Sequence, residues 1–141
     1  MASAKMSVAE VEQFLRHEFP QAFSGDDIII ESADGQTCLL RQRYSERMLR
    51  PGGTVSGPTL MALADFAMYV VLLSAIGPVG LAVTTNLNIN FLRKPEPEPL
   101  ECTCRILKLG KRLAVLDASI VKVGDDDLVA HATATYSIPP R

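Results

Sequence analysis

One acidic residue, Asp65, lies in the middle of a long apolar segment. The stretch Leu60–Met68 contains no other charged or polar side chain. Burying an unpaired carboxylate costs several kcal/mol, so a sequence keeps one there only for a reason. The group could act as a general base or a nucleophile. It could equally be a structural acid that accepts hydrogen bonds from nearby backbone or from a partner chain, and the residue alone does not decide between these roles.

A second candidate for chemistry is the tripeptide Ser56-Gly57-Pro58. Pro58 suits the first turn of a helix, and the start of a helix presents free N–H groups that can stabilise an oxyanion. Gly57 lets a ligand carbonyl approach the backbone, although Ser56 or Gly57 could be only the helix cap. Asp65 would lie about 12 Å along the helix axis from Gly57. If both act on one carbonyl, we expect them to come from different subunits.

The three cysteines do not form a recognisable site. Cys102 and Cys104 would share one face of a strand, but no histidine or second cysteine pair accompanies them, so small buried side chains are favoured over a metal site. With Cys38 the number of cysteines is odd, which is a poor disulfide framework. Reduced thiols are typical of the cytosol, and we predict a cytoplasmic protein.

The other candidate ligands are also isolated. His17 and His131 are the only histidines, and neither has a partner at useful spacing, so each is interpreted as structural or exposed. The run Asp125-Asp126-Asp127 lacks further oxygen ligands and is typical of a solvated turn rather than a calcium loop. The sequence therefore predicts neither a metal nor a bound cofactor.

The elements that must position these residues follow from capping and periodicity. Ser7 and Glu10 form a capping box before a short amphipathic helix, and Gly77-Pro78 ends the apolar helix. An Asp34-Gly35 turn joins the first two strands. The predicted elements are, in order, a helix from Ser7 to about Phe19, strands 28–32 and 38–44, an irregular loop 45–55, the helix 58–76, and strands 81–92, 100–108, 113–123 and 128–138.

Side-chain alternation predicts how the strands face. In strand 81–92 one face is apolar, and the other carries Thr84, Asn86, Asn88 and Asn90. In the last strand a stripe of alanines at 130, 132 and 134 would let the apolar helix approach closely. Short hairpin connections indicate an antiparallel sheet. The fold class is therefore α+β, with a curved antiparallel sheet wrapped around a long central apolar helix.

Length and composition set limits on function. The chain has 141 residues, 48% of them hydrophobic, and is expected to form a single domain over 1–141 with an N-terminal helical segment at 1–24. A net charge of −2 indicates no nucleic-acid partner. The N-terminus lacks the apolar core of a signal peptide, and the stretch 58–76 is barely long enough to span a bilayer and contains Asp65, so no membrane partner is predicted.

The segment Gly53–Asp65 resembles the active-site segment of hotdog-fold acyl-CoA thioesterases of the phenylacetic acid degradation (PaaI-like) type. That pattern is His-Gly-Gly followed by a helix with Asp at this spacing. Three further segments resemble later elements of the family in the same order: Val83–Arg93, Gly110–Ala114 and Leu128–Tyr136. The resemblance covers residues 38–138 and implies the hotdog fold.

The resemblance also implies a mechanism and an assembly. Asp65 would activate water, or attack directly, at the thioester carbonyl of an acyl-CoA, and the Gly57 N–H of the neighbouring subunit would stabilise the oxyanion. Thr84 would help to position water or the acid. The enzyme would be a homodimer or a dimer of dimers, with coenzyme A present only as part of the substrate.

The sequence departs from the family pattern at three positions. Ser56 replaces the family histidine, Pro58 replaces the second glycine, and Arg50 stands where relatives often have Asn to polarise the carbonyl. Arg50 could still donate a hydrogen bond, or could bind a phosphate or carboxylate. Arg93 and Lys111 are candidates for binding the coenzyme A phosphates. The alternative is a non-catalytic protein that binds acyl-CoA or a small acid on the same scaffold, which Ser56 and Arg50 favour.

Overall fold

A computed structural model describes residues 4–23 and 25–140 and contains two helices and eight strands in those ranges. The elements are, in chain order, α1 (Val8–Glu18), β1 (Ile28–Ala33), β2 (Thr37–Gln42), a 3-10 turn (Glu46–Met48), β3 (Leu49–Arg50), β4 (Thr54–Val55), α2 (Gly57–Ile76), β5 (Val83–Phe91), β6 (Leu100–Leu109), β7 (Leu113–Lys122) and β8 (Leu128–Ser137). Both predicted helices and all six predicted strands are present.

The loop 45–55 is more ordered than the sequence predicts. It contains the 3-10 turn and the small hairpin β3–β4 rather than only irregular backbone. Gly52 and Gly53 have φ angles of 100° and 76°, which other residues rarely adopt. The hairpin closes there and leads the chain directly into α2.

Both helices begin and end at the predicted signals. The Ser7 side chain accepts a hydrogen bond from the Glu10 N–H, and the Glu10 carboxylate accepts one from the Ser7 N–H. Helix α2 ends at Gly77, where φ is 97°. This helix is long and apolar enough to cross a membrane by length and composition, yet 67% of its most apolar 18-residue stretch is buried inside the fold. It is packed as a core helix.

The main sheet is antiparallel throughout and has the strand order β1-β2-β6-β7-β8-β5. Helix α2 packs mainly against β6, β7 and β2 in the middle of the sheet. The alanines at 130, 132 and 134 are buried, as the stripe predicts. The α+β class, with a sheet packed around one apolar helix, is confirmed.

Strand β5 lies at one edge of the sheet and contains a bulge. Its register with β8 shifts between Thr84 and Asn86, so Thr85 is an extra residue. Thr84 pairs with Tyr136, whose side chain points towards α2. The prediction that Thr84 shares the asparagine face was therefore wrong, because the bulge turns Thr84 to the helix side of the sheet.

Three thiols lie between the sheet and α2. Cys38, Cys102 and Cys104 are free and at most 1% exposed. Cys38 pairs with Cys104 across β2 and β6, and its Sγ lies 3.3 Å from the Ala67 carbonyl oxygen. Burial raises the pKa of Cys102, and contact with Cys38 followed by burial raises that of Cys104. They behave as small core side chains.

The outer face of the sheet carries a charged cluster. Asp117 accepts hydrogen bonds from Arg105 at 2.8 Å and 3.3 Å, and its Oδ2 lies 3.1 Å from Nε2 of His131. Burial alone would raise the pKa of Asp117, but Arg105 and His131 together lower it. His131 is therefore a half-buried structural residue on the face opposite the alanine stripe, in agreement with its interpretation from the sequence.

Candidate active site

Asp65 is held by two hydroxyl groups on one of its oxygens. The Thr84 hydroxyl donates to Oδ1 at 2.7 Å, and the Tyr136 hydroxyl donates to the same atom at 2.6 Å. No hydrogen bond from the described part of the chain reaches Oδ2. One oxygen therefore fixes the orientation of the carboxylate, and the other is free to act on a ligand.

The sequence did not indicate Tyr136 as a site residue. Burial, and then the Asp65 carboxylate, raise the pKa of Tyr136 far above its usual range, so the hydroxyl stays protonated and remains a donor. The signal that could have identified it is its register: Tyr136 follows Ala134 on the same face of β8, the face that meets the helix carrying Asp65. A tyrosine in such a place needs a partner for its hydroxyl.

Asp65 lines a cleft of about 860 Å³. Helices α1 and α2 form two walls, the segment that leads from α2 into β5 forms a third, and Tyr136 lies at the base. Among the residues that the structure describes, the only charged side chains that line the cleft are Asp65 and Glu18. The lining residues are Phe14, Glu18, Phe19, Ala22, Ala62, Asp65, Phe66, Tyr69, Pro78, Gly80, Leu81, Ala82, Val83, Thr84 and Tyr136.

Gly57 lies at the start of α2 and has a free N–H. Ser56 is the helix cap: its Oγ accepts a hydrogen bond from the Thr59 N–H at 3.3 Å, and its carbonyl accepts one from Leu60. Pro58 has no N–H. Among the first residues of α2, Gly57 alone keeps a backbone donor that no described group accepts. Its Cα faces Phe91, because a Cβ placed there would lie 3.3 Å from the Phe91 ring.

The structure brings together some of the predicted site residues and separates others. Asp65 and Thr84 are in contact, whereas Gly57, Ser56 and the three candidate cations do not line the cleft of the same chain. Arg50 is exposed in the β3–β4 hairpin, and Lys111 is exposed in the turn between β6 and β7. Arg93 is exposed but ion-paired, with Asp125 at 2.6 Å and Asp127 at 3.9 Å. The acidic turn, interpreted as solvated, thus binds a cation of its own chain.

Comparison with known proteins identifies the family. Residues 52–130 match the family described as the thioesterase superfamily. The crystal structure of a "putative thioesterase" from Silicibacter sp. TM1040 is 40% identical, covers 97% of this chain and 94% of that chain, and has a TM-score of 0.87. A "putative esterase" from Saccharolobus solfataricus is 31% identical over 134 residues, which are 94% of this chain and 86% of the relative.

A mutant of phenylacetic acid degradation protein PaaI from Thermus thermophilus has the same fold. It is 22% identical, covers 79% of this chain and 93% of that chain, and has a TM-score of 0.70. The chain belongs to the thioesterase superfamily, and its architecture is the hotdog fold that the sequence resemblance implied. Membership supports hydrolysis of a thioester as its class of reaction.

Proposed function

We propose that the protein hydrolyses an acyl-CoA thioester to the free acid and coenzyme A. The observation that carries this proposal is the Asp65 carboxylate, which is anchored through Oδ1 and presents Oδ2 in a mainly apolar cleft. A carboxylate held in this way can accept a proton from water without reorienting. An apolar wall beside it suits an acyl chain.

The reaction follows from these positions. Asp65 Oδ2 takes a proton from water while the water oxygen bonds to the thioester carbonyl carbon. The carbonyl oxygen becomes an oxyanion, and collapse of the tetrahedral intermediate breaks the carbon–sulfur bond and releases coenzyme A as its thiolate, which then takes up a proton. The second route is direct attack by Oδ2 on the carbonyl carbon, which breaks the carbon–sulfur bond and releases coenzyme A as its thiolate. The resulting acyl–Asp65 anhydride is then hydrolysed by water to the free acid and the Asp65 carboxylate. Both routes need a donor for the oxyanion, and neither needs a metal or a bound cofactor.

The oxyanion donor in this proposal is the Gly57 N–H of a neighbouring subunit. Within one chain, Gly57 and Asp65 are eight residues apart along α2, or about 12 Å. A single carbonyl cannot contact both. The free N–H at a helix start, with the helix dipole behind it, is suited to a negative oxygen.

Pairing of two chains through strand β5 would bring Asp65 of one chain close to Gly57 of the other. Asp65 contacts Thr84 near one end of β5, and Gly57 contacts Phe91 at the other end. Two copies that pair antiparallel through β5, about an axis between Leu87 and Asn88, would set Thr84 of one against Phe91 of the other. Each Asp65 would then lie close to the Gly57 of its neighbour, and two identical composite sites would form.

The exposed surface of β5 supports this homodimer. In the single chain β5 is an edge strand with unpaired backbone groups on one side. Val83 and Phe91, at its two ends, are 53% and 51% exposed. Long, apolar edge strands are rarely left open to water. A dimer of dimers would leave the same composite sites intact.

Cationic side chains outside the cleft would bind the coenzyme A part of the substrate. Arg50 and Lys111 are exposed and so accessible to coenzyme A phosphates, and Arg93 would have to exchange Asp125 for a phosphate to take part. Ser56 would contribute by holding the start of α2 in place, since its hydroxyl already caps the helix. The proposed compartment is the cytoplasm, where acyl-CoA and reduced thiols occur together.

The experiment is a panel of acyl-CoA thioesters with release of free thiol as the readout. We expect turnover by the wild type and a loss of about 100-fold or more in kcat for Asp65→Asn. Asp126→Asn, an exposed acid in the β7–β8 turn, is the matched control and should keep full activity. Tight acyl-CoA binding without turnover by the wild type would instead establish the non-catalytic binding protein.

A further inference from the structure

Glu18 is the one charged residue of the described chain that lines the cleft besides Asp65. It is the last residue of α1 and is exposed. No ion pair or hydrogen bond to its carboxylate occurs among the described residues. An acyl chain that extends from Asp65 along the α1 wall would therefore pass an uncompensated negative charge.

Helix α1 holds Glu18 in a fixed position. Val11 and Leu15 are fully buried beneath the helix. The Phe19 ring packs edge-on against Tyr69 with centroids 6.2 Å apart, and the Phe14 ring would contact a Cβ at Gly80 at 3.3 Å. These contacts join α1 to α2 and to the segment before β5. Glu18 is thus held at the wall of the cleft by the docking of α1.

The charge of Glu18 acts on the inner surface of the cleft. Burial, and then the Glu18 carboxylate, raise the pKa of the Tyr69 hydroxyl, which also lines the cleft. No Lys or Arg lines the cleft in residues 4–23 and 25–140 to offset this charge. The electrostatic environment of an acyl chain beyond the reacting carbonyl is therefore negative.

We propose that Glu18 is a specificity-determining residue that makes the cleft discriminate against acyl groups ending in a carboxylate. The inference rests on the proposed thioesterase function and names the class of acyl group that the site accepts. Neutral acyl groups experience only the apolar walls, whereas a terminal carboxylate is repelled by the charge on α1. A positively charged terminus would be attracted.

The size of the effect follows from Coulomb's law in a water-filled cleft. Two like charges about 4 Å apart in water repel by about 1 kcal/mol, which corresponds to about fivefold in kcat/KM. The repulsion should weaken as salt is raised, because an exposed charge is screened. A purely steric preference would not respond to salt in this way.

The test uses two thioesters that differ only at the end of the chain, hexanoyl-CoA and adipyl-CoA. We expect the ratio of kcat/KM for adipyl-CoA to that for hexanoyl-CoA to rise about fivefold in E18Q and further in E18K. Glu12→Gln removes a half-buried acid from the same helix outside the cleft and should leave the ratio at its wild-type value. Thermal melting of each variant checks that the fold keeps its wild-type stability.

Binding measurements test the role of Glu18 independently of the proposed hydrolysis. The affinities of both thioesters are also measured by calorimetry in the Asp65→Asn protein, where the same fivefold shift with E18Q is expected. A folded wild type that hydrolyses no acyl-CoA of the panel overturns the proposed function, and the binding ratio then decides the role of Glu18. An adipyl to hexanoyl ratio that E18Q and E18K leave unchanged in both measurements overturns the inference.

Discussion

The Tyr136 hydroxyl lies 2.6 Å from Oδ1 of Asp65 and 3.0 Å from the carbonyl oxygen of the same residue. One side chain of β8 is thus in contact with both the carboxylate and the backbone of the acid. The Thr84 hydroxyl reaches Oδ1 from the neighbouring strand β5. The orientation of Asp65 is set by the sheet as well as by the helix that carries it.

Tyr136→Phe removes one of the two donors to Asp65 Oδ1. We expect kcat for the best acyl-CoA to fall about 10-fold, since the carboxylate loses part of its orientation, while KM changes little. Steady-state kinetics of thiol release measures both constants. Tyr44→Phe, a tyrosine outside the cleft, is the control. A fall in thermal stability with unchanged kcat would mean that the Tyr136 contact serves only the fold.

Thr84→Val replaces the other donor by a group of nearly the same shape. The expected loss is again about 10-fold in kcat, because Oδ1 keeps only the Tyr136 hydrogen bond. Thr85→Val provides a matched control, since Thr85 is the bulge residue next to Thr84 and its hydroxyl donates to the Thr135 carbonyl instead. Equal losses in the two variants would contradict the role given to Thr84.

The sequence predicts the fold better than it predicts the site. Helix α2 could be placed because Pro58 and Gly77 mark its ends, and strand alternation gives most of the sheet. The bulge at Thr85 is invisible to alternation, because the strand has a regular two-residue pattern on either side of it. Only the pairing of β5 with β8 shows that Thr84 turns inward.

The contacts that sequence reasoning missed all join distant parts of the chain. Tyr136 is 71 residues from Asp65, and only the packing of α2 on the sheet brings the two together. The contribution of Glu18 depends on how α1 docks, which its amphipathic pattern does not specify. Gly57 could be identified as a helix start from its neighbours, but its free N–H is evident only once the Ser56 cap is seen.

Mixing two inactive variants tests the composite site. In a heterodimer of Gly57→Val and Asp65→Asn, one site combines the intact Asp65 of the first chain with the intact Gly57 of the second, and the other site has both changes. Random exchange makes half of the dimers heterodimers, so about one quarter of wild-type activity is expected. Subunit exchange is followed with differently tagged chains. Full exchange without recovered activity would refute a site shared between subunits.

Asp117→Asn weakens the charged cluster on the outer face. We expect the free energy of unfolding at pH 7 to fall by about 1–3 kcal/mol, because Arg105 and His131 lose a charged acceptor. The pKa of Asp117 is lowered from 3.8 in the folded protein, so its stabilisation is complete above the unfolded value and is lost as pH falls through the folded value.

Urea unfolding at several pH values measures this dependence. The difference between wild type and Asp117→Asn should be constant above about pH 5 and shrink below about pH 4. Asp126→Asn, on the exposed turn, should follow the wild type at every pH. A difference that grows as the pH falls would contradict the assigned direction.

The three thiols beneath α2 can report how often the helix separates transiently from the sheet. Cys38, Cys102 and Cys104 are inaccessible while α2 lies on the sheet, so an alkylating reagent should modify them only when the helix lifts away. The rate of modification of the folded protein, followed by mass spectrometry, would therefore measure how often α2, which carries Asp65, separates from the sheet, which orients Asp65. A bound substrate that contacts both α2 and the sheet should slow the modification of the thiols.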